Sequence, residues 1–325
     1  MNNKTNTAII TGISGQDGSY LAKLLIEKGY KVIGLVRSNA GHHLHGLSYL
    51  NLRDKVSIEE CDLLDMSQII KCITRHRPSE IYNLAAQSSV SLSFAQPIGT
   101  FHFNTISVFN LLEAIKLTDK QIKFYQASSS EMFGEVKKLP ITEDTEFHPK
   151  SPYAISKAAA HWTCVNYRES YGMFICCGIL FNHESYLRNE NFFVKKVIAN
   201  AIKIKDGELN ELSVGDLSIR RDIGFAPKYV EAMYKMMQQP EPGNYIICSG
   251  KSVSLRYIVE YVFSKLGLPV SKIITDPYLF RPSEIHDIYG SNQHINQSLN
   301  WSYDISTDEL LDILIEEEIR NRKMQ

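Results

Sequence analysis

The chain has 325 residues, 44% of them hydrophobic and 22% charged, with a formal net charge of −1. That length allows one large α/β domain or a main domain with a smaller lobe, and the composition is that of an ordinary globular enzyme. The balanced charge gives no electrostatic reason to expect nucleic acid or an anionic membrane as partner, and no apolar run approaches a membrane span.

The opening MNNKTNTAIITG has no signal-peptide core. Six cysteines (Cys61, Cys72, Cys164, Cys176, Cys177, Cys248) are scattered, without C-x-x-C and without histidine at ligand spacing. They read as buried thiols of a reducing compartment, so a cytoplasmic protein with no metal site is expected.

Residues 7–12, TAIITG, suit a buried parallel strand. Gly12-Ile-Ser-Gly15-Gln-Asp-Gly18 follows and runs into SYLAKLLIEKGY, which has apolar residues at helical spacing and a stop at Gly29. Strand, glycine turn and helix together form a dinucleotide fingerprint. Its glycines let the backbone approach a pyrophosphate, and the helix N-terminus favours the negative charge. The next strand, KVIGLV, ends at Arg37, near where an acid would bind the ribose 2′-hydroxyl of NAD. A cation followed by Ser38 and Asn39 fits a 2′-phosphate instead, which favours NADP.

NAGHHLHGLSYL, residues 39–50, holds His42, His43 and His45 without a fourth ligand and reads as a surface loop near the cofactor ribose. VSIEECDLLD gives a third strand, with Asp62 at its end placed to meet the adenine. SQIIKCITRHRP is helical. EIYNLAAQSSV is a fourth strand running into the cofactor groove, where Ala85, Ala86 and Ser88 are small enough for close approach by the nicotinamide half. FNTISVFNLLEAIKLT is a helix and KFYQASS a strand. Alternation from 7 to 182 specifies a Rossmann-like, doubly wound parallel sheet.

The stretch from Ser128 to Lys157 carries the chemistry. Ser129 and Glu131 follow the fifth strand, and Tyr153 and Lys157 stand four apart on a helix. That helix is signalled by an N-cap at Ser151, Pro152 at its first position and a stop at Gly172. The spacing puts the lysine ammonium near the phenol, where a cation eases ionisation. Such a phenolate takes a proton from a sugar hydroxyl while hydride leaves the same carbon. A simple oxidase or reductase needs this Tyr–Lys pair but no carboxylate; Glu131 supplies the base that elimination requires.

Beyond Asn182-His183-Glu184 the alternation loosens. NFFVKKVIANAIKIK is a helix, and VEAMYKMMQQPEPGNYIICSG reads as a helix and strand returning to the sheet. Basic clusters at Lys195–Lys196, Arg220–Arg221 and Arg281 suit an anion pocket of two phosphates built from several loops. The expected division is a cofactor domain over 1–182, with a returning segment at about 222–250. A smaller, irregular C-terminal substrate lobe takes 183–221 and 251–325.

The blocks TGISGQDGSYLA, IYNLAAQSSVSLSF, KFYQASSSEMFG, SPYAISK, NYRESYGMF, GILFNHES, RRDIG and RPSE resemble the GDP-mannose 4,6-dehydratases of the extended short-chain dehydrogenase/reductase family. The resemblance covers almost the whole chain. It implies an enzyme using NADP to oxidise C4 of a GDP-hexose, eliminate water across C5 and C6, and return hydride to C6. Tyr153 with Lys157 would take the O4 proton, Ser129 would belong to the catalytic set, and Glu131 would act at C5. The cofactor contacts it implies also include Gln16, Asp17, Leu63, Leu84, His183 and Arg188. Around the GDP-sugar it places Ser88, Asn182, Lys196, Arg221, Arg281 and Glu284.

The chain departs from the family pattern at several positions. Ser129 stands where threonine is usual, and Ser89 and Ser91 replace a histidine and a longer residue. Leu187 and Asn189 interrupt a basic Pro-Arg-Arg-Gly, and Ile223 and Phe225 replace a tryptophan and a histidine. These changes leave room for a related sugar such as a GDP-manno-heptose. The shortened 38–50 loop favours a homodimer through the Tyr153 helix, with a tetramer as the alternative. Rival functions are a GDP-4-keto-6-deoxy-sugar reductase or epimerase and, in another class, a cofactor-binding regulator without catalysis.

Overall fold

The computed structural model describes residues 6–38 and 44–322. Its first half alternates strand and helix: β1 (Thr7–Thr11), α1 (Gln16–Glu27), β2 (Lys31–Val36), α2 (His45–Tyr49), β3 (Val56–Glu60), α3 (Met66–His76) and β4 (Glu80–Asn83). After β4 come α4 (Val90–Ala95), α5 (Pro97–Thr118), β5 (Lys123–Ser129), α6 (Pro152–Tyr171) and β6 (Ile175–Leu180). The second half holds β7 (Asn182–Glu184), α7 (Phe193–Lys205), β8 (Leu212–Val214), β9 (Arg220–Phe225), α8 (Ala226–Met237) and β10 (Asn244–Ile247). It closes with β11 (Ser252–Ser254), α9 (Leu255–Leu266), β12 (Ile273–Thr275), β13 (Asp287–Ile288), α10 (Gln293–Leu299) and α11 (Thr307–Arg322).

The main sheet has seven strands in the order β10-β6-β5-β4-β1-β2-β3, and every pairing is parallel. Strands such as β2 (KVIGLV) and β6 (ICCGIL) read as nearly continuous apolar runs because helices cover both faces. On one face α1 and α8 bury Leu21, Leu25, Val230 and Met233. On the other α3, α5 and α6 bury Ile69, Ile73, Leu111, Leu112 and Ala160. Each large aliphatic side chain withdrawn from water contributes roughly 1.5–3 kcal/mol. Strand order reverses between β1 and β4, and in open α/β sheets ligands bind outside the carboxyl ends at such a switch point.

A second core joins α7, α9 and α11 through Val197, Ile202, Val259, Phe263, Leu310 and Leu314. Beside it β9 pairs with β7, β11 and β13. Because β7 directly follows β6, this small sheet hangs from the end of the large one and places β9 over the switch point.

The 39–50 segment departs in part from the surface loop read in the sequence. Residues 39–43, with His42 and His43, lie outside the described residues, but His45–Tyr49 is a helical turn with Gly46 and Leu47 buried. A Cβ on Gly46 would sit 2.3 Å from Ser19 Oγ, so the turn packs tightly on α1. No described helix is long and apolar enough to cross a membrane.

Candidate active site

A cleft of about 660 Å³ runs from the glycine turn after β1 to the loops of the second half. Its floor is the Gly12–Gly18 turn. Gly12 has φ +70°, and a Cβ there would meet Leu84 C and Ala85 N at 2.9 Å, so the turn and the end of β4 approach each other closely. A Cβ on Gly18 would strike Gly12 O at 2.4 Å, which lets α1 start directly beneath the turn. Gly15 differs: its Cβ would meet only Gly12 O, at 3.3 Å, and the residue lines the cleft. Fold packing therefore does not demand a glycine at 15, whereas close approach of a phosphate does. The unpaired N–H groups of the first turn of α1 point the same way.

Polar bonds tie this turn to the segment after β6. Gln16 Nε2 donates to His183 O at 3.0 Å, and Ser185 Oγ donates to Gln16 Oε1 at 2.8 Å. His183 faces an acceptor at each ring nitrogen: Phe181 O lies 2.8 Å from Nδ1, and Asp17 oxygens lie 2.9 and 3.0 Å from Nε2. Its ring stacks on Tyr229 with centroids 4.6 Å apart. Burial pushes the Asp17 carboxyl up, but His183 and then Arg188 outweigh it and hold the group below its usual value. Arg188 covers the Phe192 ring at 3.6 Å. Its Nε is 3.8 Å from Glu184 Oε2, beyond hydrogen-bond range, and both buried atoms lack another partner. A buried guanidinium edge with spare capacity suits an anionic group in the cleft.

Ser129 closes β5 and accepts a hydrogen bond from Glu131 N at 3.3 Å, in a 3-10 turn that carries Glu131 into the cleft. Across from them Tyr153 and Lys157 project from the first turns of α6, capped at Ser151, whose Oγ accepts from Ala154 N at 3.0 Å. The two side chains share a face, as their spacing requires, and the ammonium is anchored by a backbone carbonyl. Lys157 Nζ donates to Ala127 O at 2.6 Å and lies 6.0 Å from the Tyr153 ring centroid. Burial pushes the lysine down to about 8. Burial also pushes the Tyr153 phenol up to about 12, against a hydrogen bond from Ser129 that favours ionisation and with Glu131 adding to the rise. Desolvation outweighs the Ser129 hydrogen bond, so the protein alone keeps this tyrosine protonated.

At the far end Arg221 is 6% exposed. It donates to Ile285 O at 2.6 Å, Arg220 O at 2.8 Å and Glu284 Oε1 at 2.7 Å. Arg281 reaches the same carboxylate oxygen at 3.5 Å. Two guanidinium groups thus share one carboxylate at this end of the cleft.

The cleft gathers Gly12, Gly15, Gln16, Asp17, Gly18, Arg37, Leu84, Ala85, Ala86, Ser88, Ser129, Glu131, Tyr153, Lys157, Asn182, His183, Arg188, Arg221, Arg281 and Glu284. Asp62, Leu63 and Lys196, and with them Lys195 and Arg220 of the basic clusters, are not among its lining. The Asp62 carboxylate accepts from Leu64 N at 3.0 Å, Leu63 is buried in the core between α3 and α5, and Lys196 Nζ donates to Ser213 O at 3.0 Å. Asn191, Phe192, Asp216 and Leu279 line the cleft without having been singled out, and no periodicity or motif marks them; Ser14 lines it too, from inside the glycine fingerprint.

Residues 9–314 match the family model described as GDP-mannose 4,6 dehydratase. The chain belongs to that family. A relative from Caenorhabditis elegans, GDP-mannose 4,6 dehydratase 2, is 39% identical over 96% of this chain and 88% of its own. The human GDP-mannose 4,6 dehydratase is 38% identical over 96% and 91%. Among solved structures, the UDP-glucose 4-epimerase of Thermotoga maritima superposes with a TM-score of 0.86 at 24% identity, over 98% of this chain and 99% of its own. That likeness places the family on the same α/β scaffold as an epimerase, so reaction type is carried by the site rather than the fold.

Proposed function

We propose that this chain is a GDP-mannose 4,6-dehydratase that uses NADP internally and converts GDP-mannose to GDP-4-keto-6-deoxy-mannose. The observation that carries the reading is Glu131 in the same cleft as Ser129, Tyr153 and Lys157. Hydride transfer alone gives such a carboxylate nothing to do, whereas loss of a proton from C5 requires a base.

When bound, an oxidised nicotinamide supplies a hydride acceptor at C4 and a positive ring beside the phenol. Tyr153 Oη then takes the proton of O4, with Ser129 holding the phenol and Lys157 adding positive charge. Glu131 removes the C5 proton and delivers a proton to the departing C6 hydroxyl. Arg221 and Arg281, held apart by Glu284, grip the diphosphate with Asn182 nearby. Gly15 and the N-terminus of α1 receive the cofactor pyrophosphate, and Arg37, exposed after β2, receives a 2′-phosphate. His183 and Arg188 close the cofactor half.

The same reading divides the chain into a cofactor domain over 1–182, with a returning segment at about 222–250, and a substrate lobe over 183–221 and 251–325. It places the protein in the cytoplasm as a homodimer. Ile98 at 83% exposure, Leu117 at 62% and Trp162 at 58% crown α5 and α6, an apolar surface that a second copy would cover.

The test is incubation with GDP-mannose and trace NADP⁺, followed by mass spectrometry. Loss of one water without net NADPH, abolished in Glu131→Gln, supports the dehydratase; consumption of NADPH in proportion to product identifies a reductase instead. GDP-manno-heptose is the second substrate to try, because Ser89 and Ser91 line the cleft where bulkier residues are usual.

A further inference from the structure

Away from the cleft, β3 and α3 bring together three donors that none of the chemistry above uses. Cys72 and His76 stand four residues apart on α3, and so lie on one face of it. Glu59 comes from the neighbouring strand β3. One ligand atom from each, a thiol sulfur, an imidazole nitrogen and a carboxylate oxygen, lies within 4.8 Å of the other two. Cys72-x-x-x-His76 on a helix is a ligand spacing, which corrects the expectation of no histidine at ligand spacing; only the fold supplies the carboxylate.

We propose that Glu59, Cys72 and His76 bind one zinc-class divalent cation, with water as the fourth ligand. A thiolate, an imidazole and a carboxylate form a donor set that suits Zn²⁺ in tetrahedral geometry. Bonds of roughly 2.0–2.3 Å put tetrahedral donors about 3.3–3.8 Å apart, so closure needs side-chain movements of only about 1 Å. His76 Nε2 and Glu59 Oε2 are already in hydrogen-bond contact, and the ion takes the place of the proton between them. It also displaces the Cys72 proton.

Arg75 donates to the other Glu59 oxygen at 2.8 Å, which fixes the carboxylate with Oε2 turned to the cluster. The Arg75 charge also sets the affinity below that of an all-thiolate site. Glu59 and His76 keep 19% and 14% side-chain exposure, so the ion arrives from solvent while Cys72 closes the inner side. A bound ion would clamp the outermost strand of the sheet, which pairs only with β2, to its covering helix.

The test is independent of the dehydratase reading. Full-length protein, treated with chelator and freed of it, is titrated with Co²⁺ and then Zn²⁺. The wild type is expected to develop a thiolate-to-cobalt charge-transfer band with the strong visible absorption of tetrahedral cobalt. The band should saturate at one ion per chain and bleach on adding Zn²⁺. Cys72→Ser removes the band, and His76→Gln and Glu59→Gln each weaken Co²⁺ binding at least tenfold. A wild type without the band, or a Cys72→Ser protein that keeps it, overturns the proposal. If Cys72→Ser does not fold, wild-type affinity in either of the other two variants overturns it equally.

Discussion

Gly15 and Gly18 are both fingerprint glycines, yet they serve different ends, and alanine separates them. In Gly18→Ala the new Cβ lies 2.4 Å from Gly12 O and 2.7 Å from Ile13 Cα. Both obstacles are backbone, so no side chain yields, and α1 must retreat by about 1 Å to reach ordinary contact. Overpacking of this kind costs about 1–3 kcal/mol, and the rigid neighbours favour the upper part of that range. The thermal midpoint should fall by roughly 4–8 °C.

In Gly15→Ala the backbone, at φ −78° and ψ 171°, suits alanine, and the Cβ meets only Gly12 O at 3.3 Å. Stability should stay within about 1 kcal/mol of wild type, aided by a stiffer unfolded chain. The methyl instead occupies the space a phosphate needs. Losing a hydrogen bond to a charged group, about 1.5–3 kcal/mol, weakens NADP binding by roughly 10- to 150-fold. Thermal unfolding and calorimetric titration with NADP read the two effects separately. The reasoning fails if Gly15→Ala unfolds as readily as Gly18→Ala, or if it binds NADP like the wild type.

Other consequences concern single side chains. Lys157, pushed down to about 8 by burial, is an ammonium below that pH and neutral above it. NADP affinity of the free protein should therefore weaken as pH rises through about 8, and Lys157→Met should flatten the profile; an unchanged slope in the variant refutes the assignment. Arg37→Ala should cost NADP about 10- to 100-fold in affinity and leave NAD within about twofold, measured by parallel titrations. Trp162→Glu, on the exposed face of α6, should halve the mass seen by light scattering at micromolar concentration while the monomer keeps its thermal midpoint. A mass unaffected by that change would place the dimer contact elsewhere.

The sequence makes the large sheet legible because a parallel strand covered on both faces tends to be apolar along its length, as ICCGIL and VIGLV are. The ends of α6 were legible for a local reason, since Ser151, Pro152 and Gly172 each satisfy a backbone need at that one position. The helix α5 begins at Pro97, six residues before its apolar pattern becomes regular, because Ile98 and Phe101 are turned outward. Spacing correctly put Tyr153 and Lys157 on one face, but it carries no information on Ala127 O, which captures the ammonium. Lys196 looked like a phosphate ligand beside Lys195. On a helix neighbours diverge, and Lys196 turns to Ser213 O while Lys195 turns to Tyr186 O and Glu318. The small helix at His45–Tyr49 has no apolar period of its own and forms against Ser19 and Leu187, both distant in sequence.

The position of β10 beside β6 has a consequence for how the protein is made. Six neighbouring strands emerge from the ribosome in one run, but the strand that completes the sheet follows β6 by roughly 60 residues. At translation rates of about 5–20 residues per second, the free edge of β6 waits on the order of 3–12 s for its partner. During that interval an apolar strand of a nearly finished sheet offers open backbone groups to any neighbouring nascent chain. Synonymous codons that slow translation between residues 181 and 243 should therefore lower the soluble yield, with no change to a single amino acid.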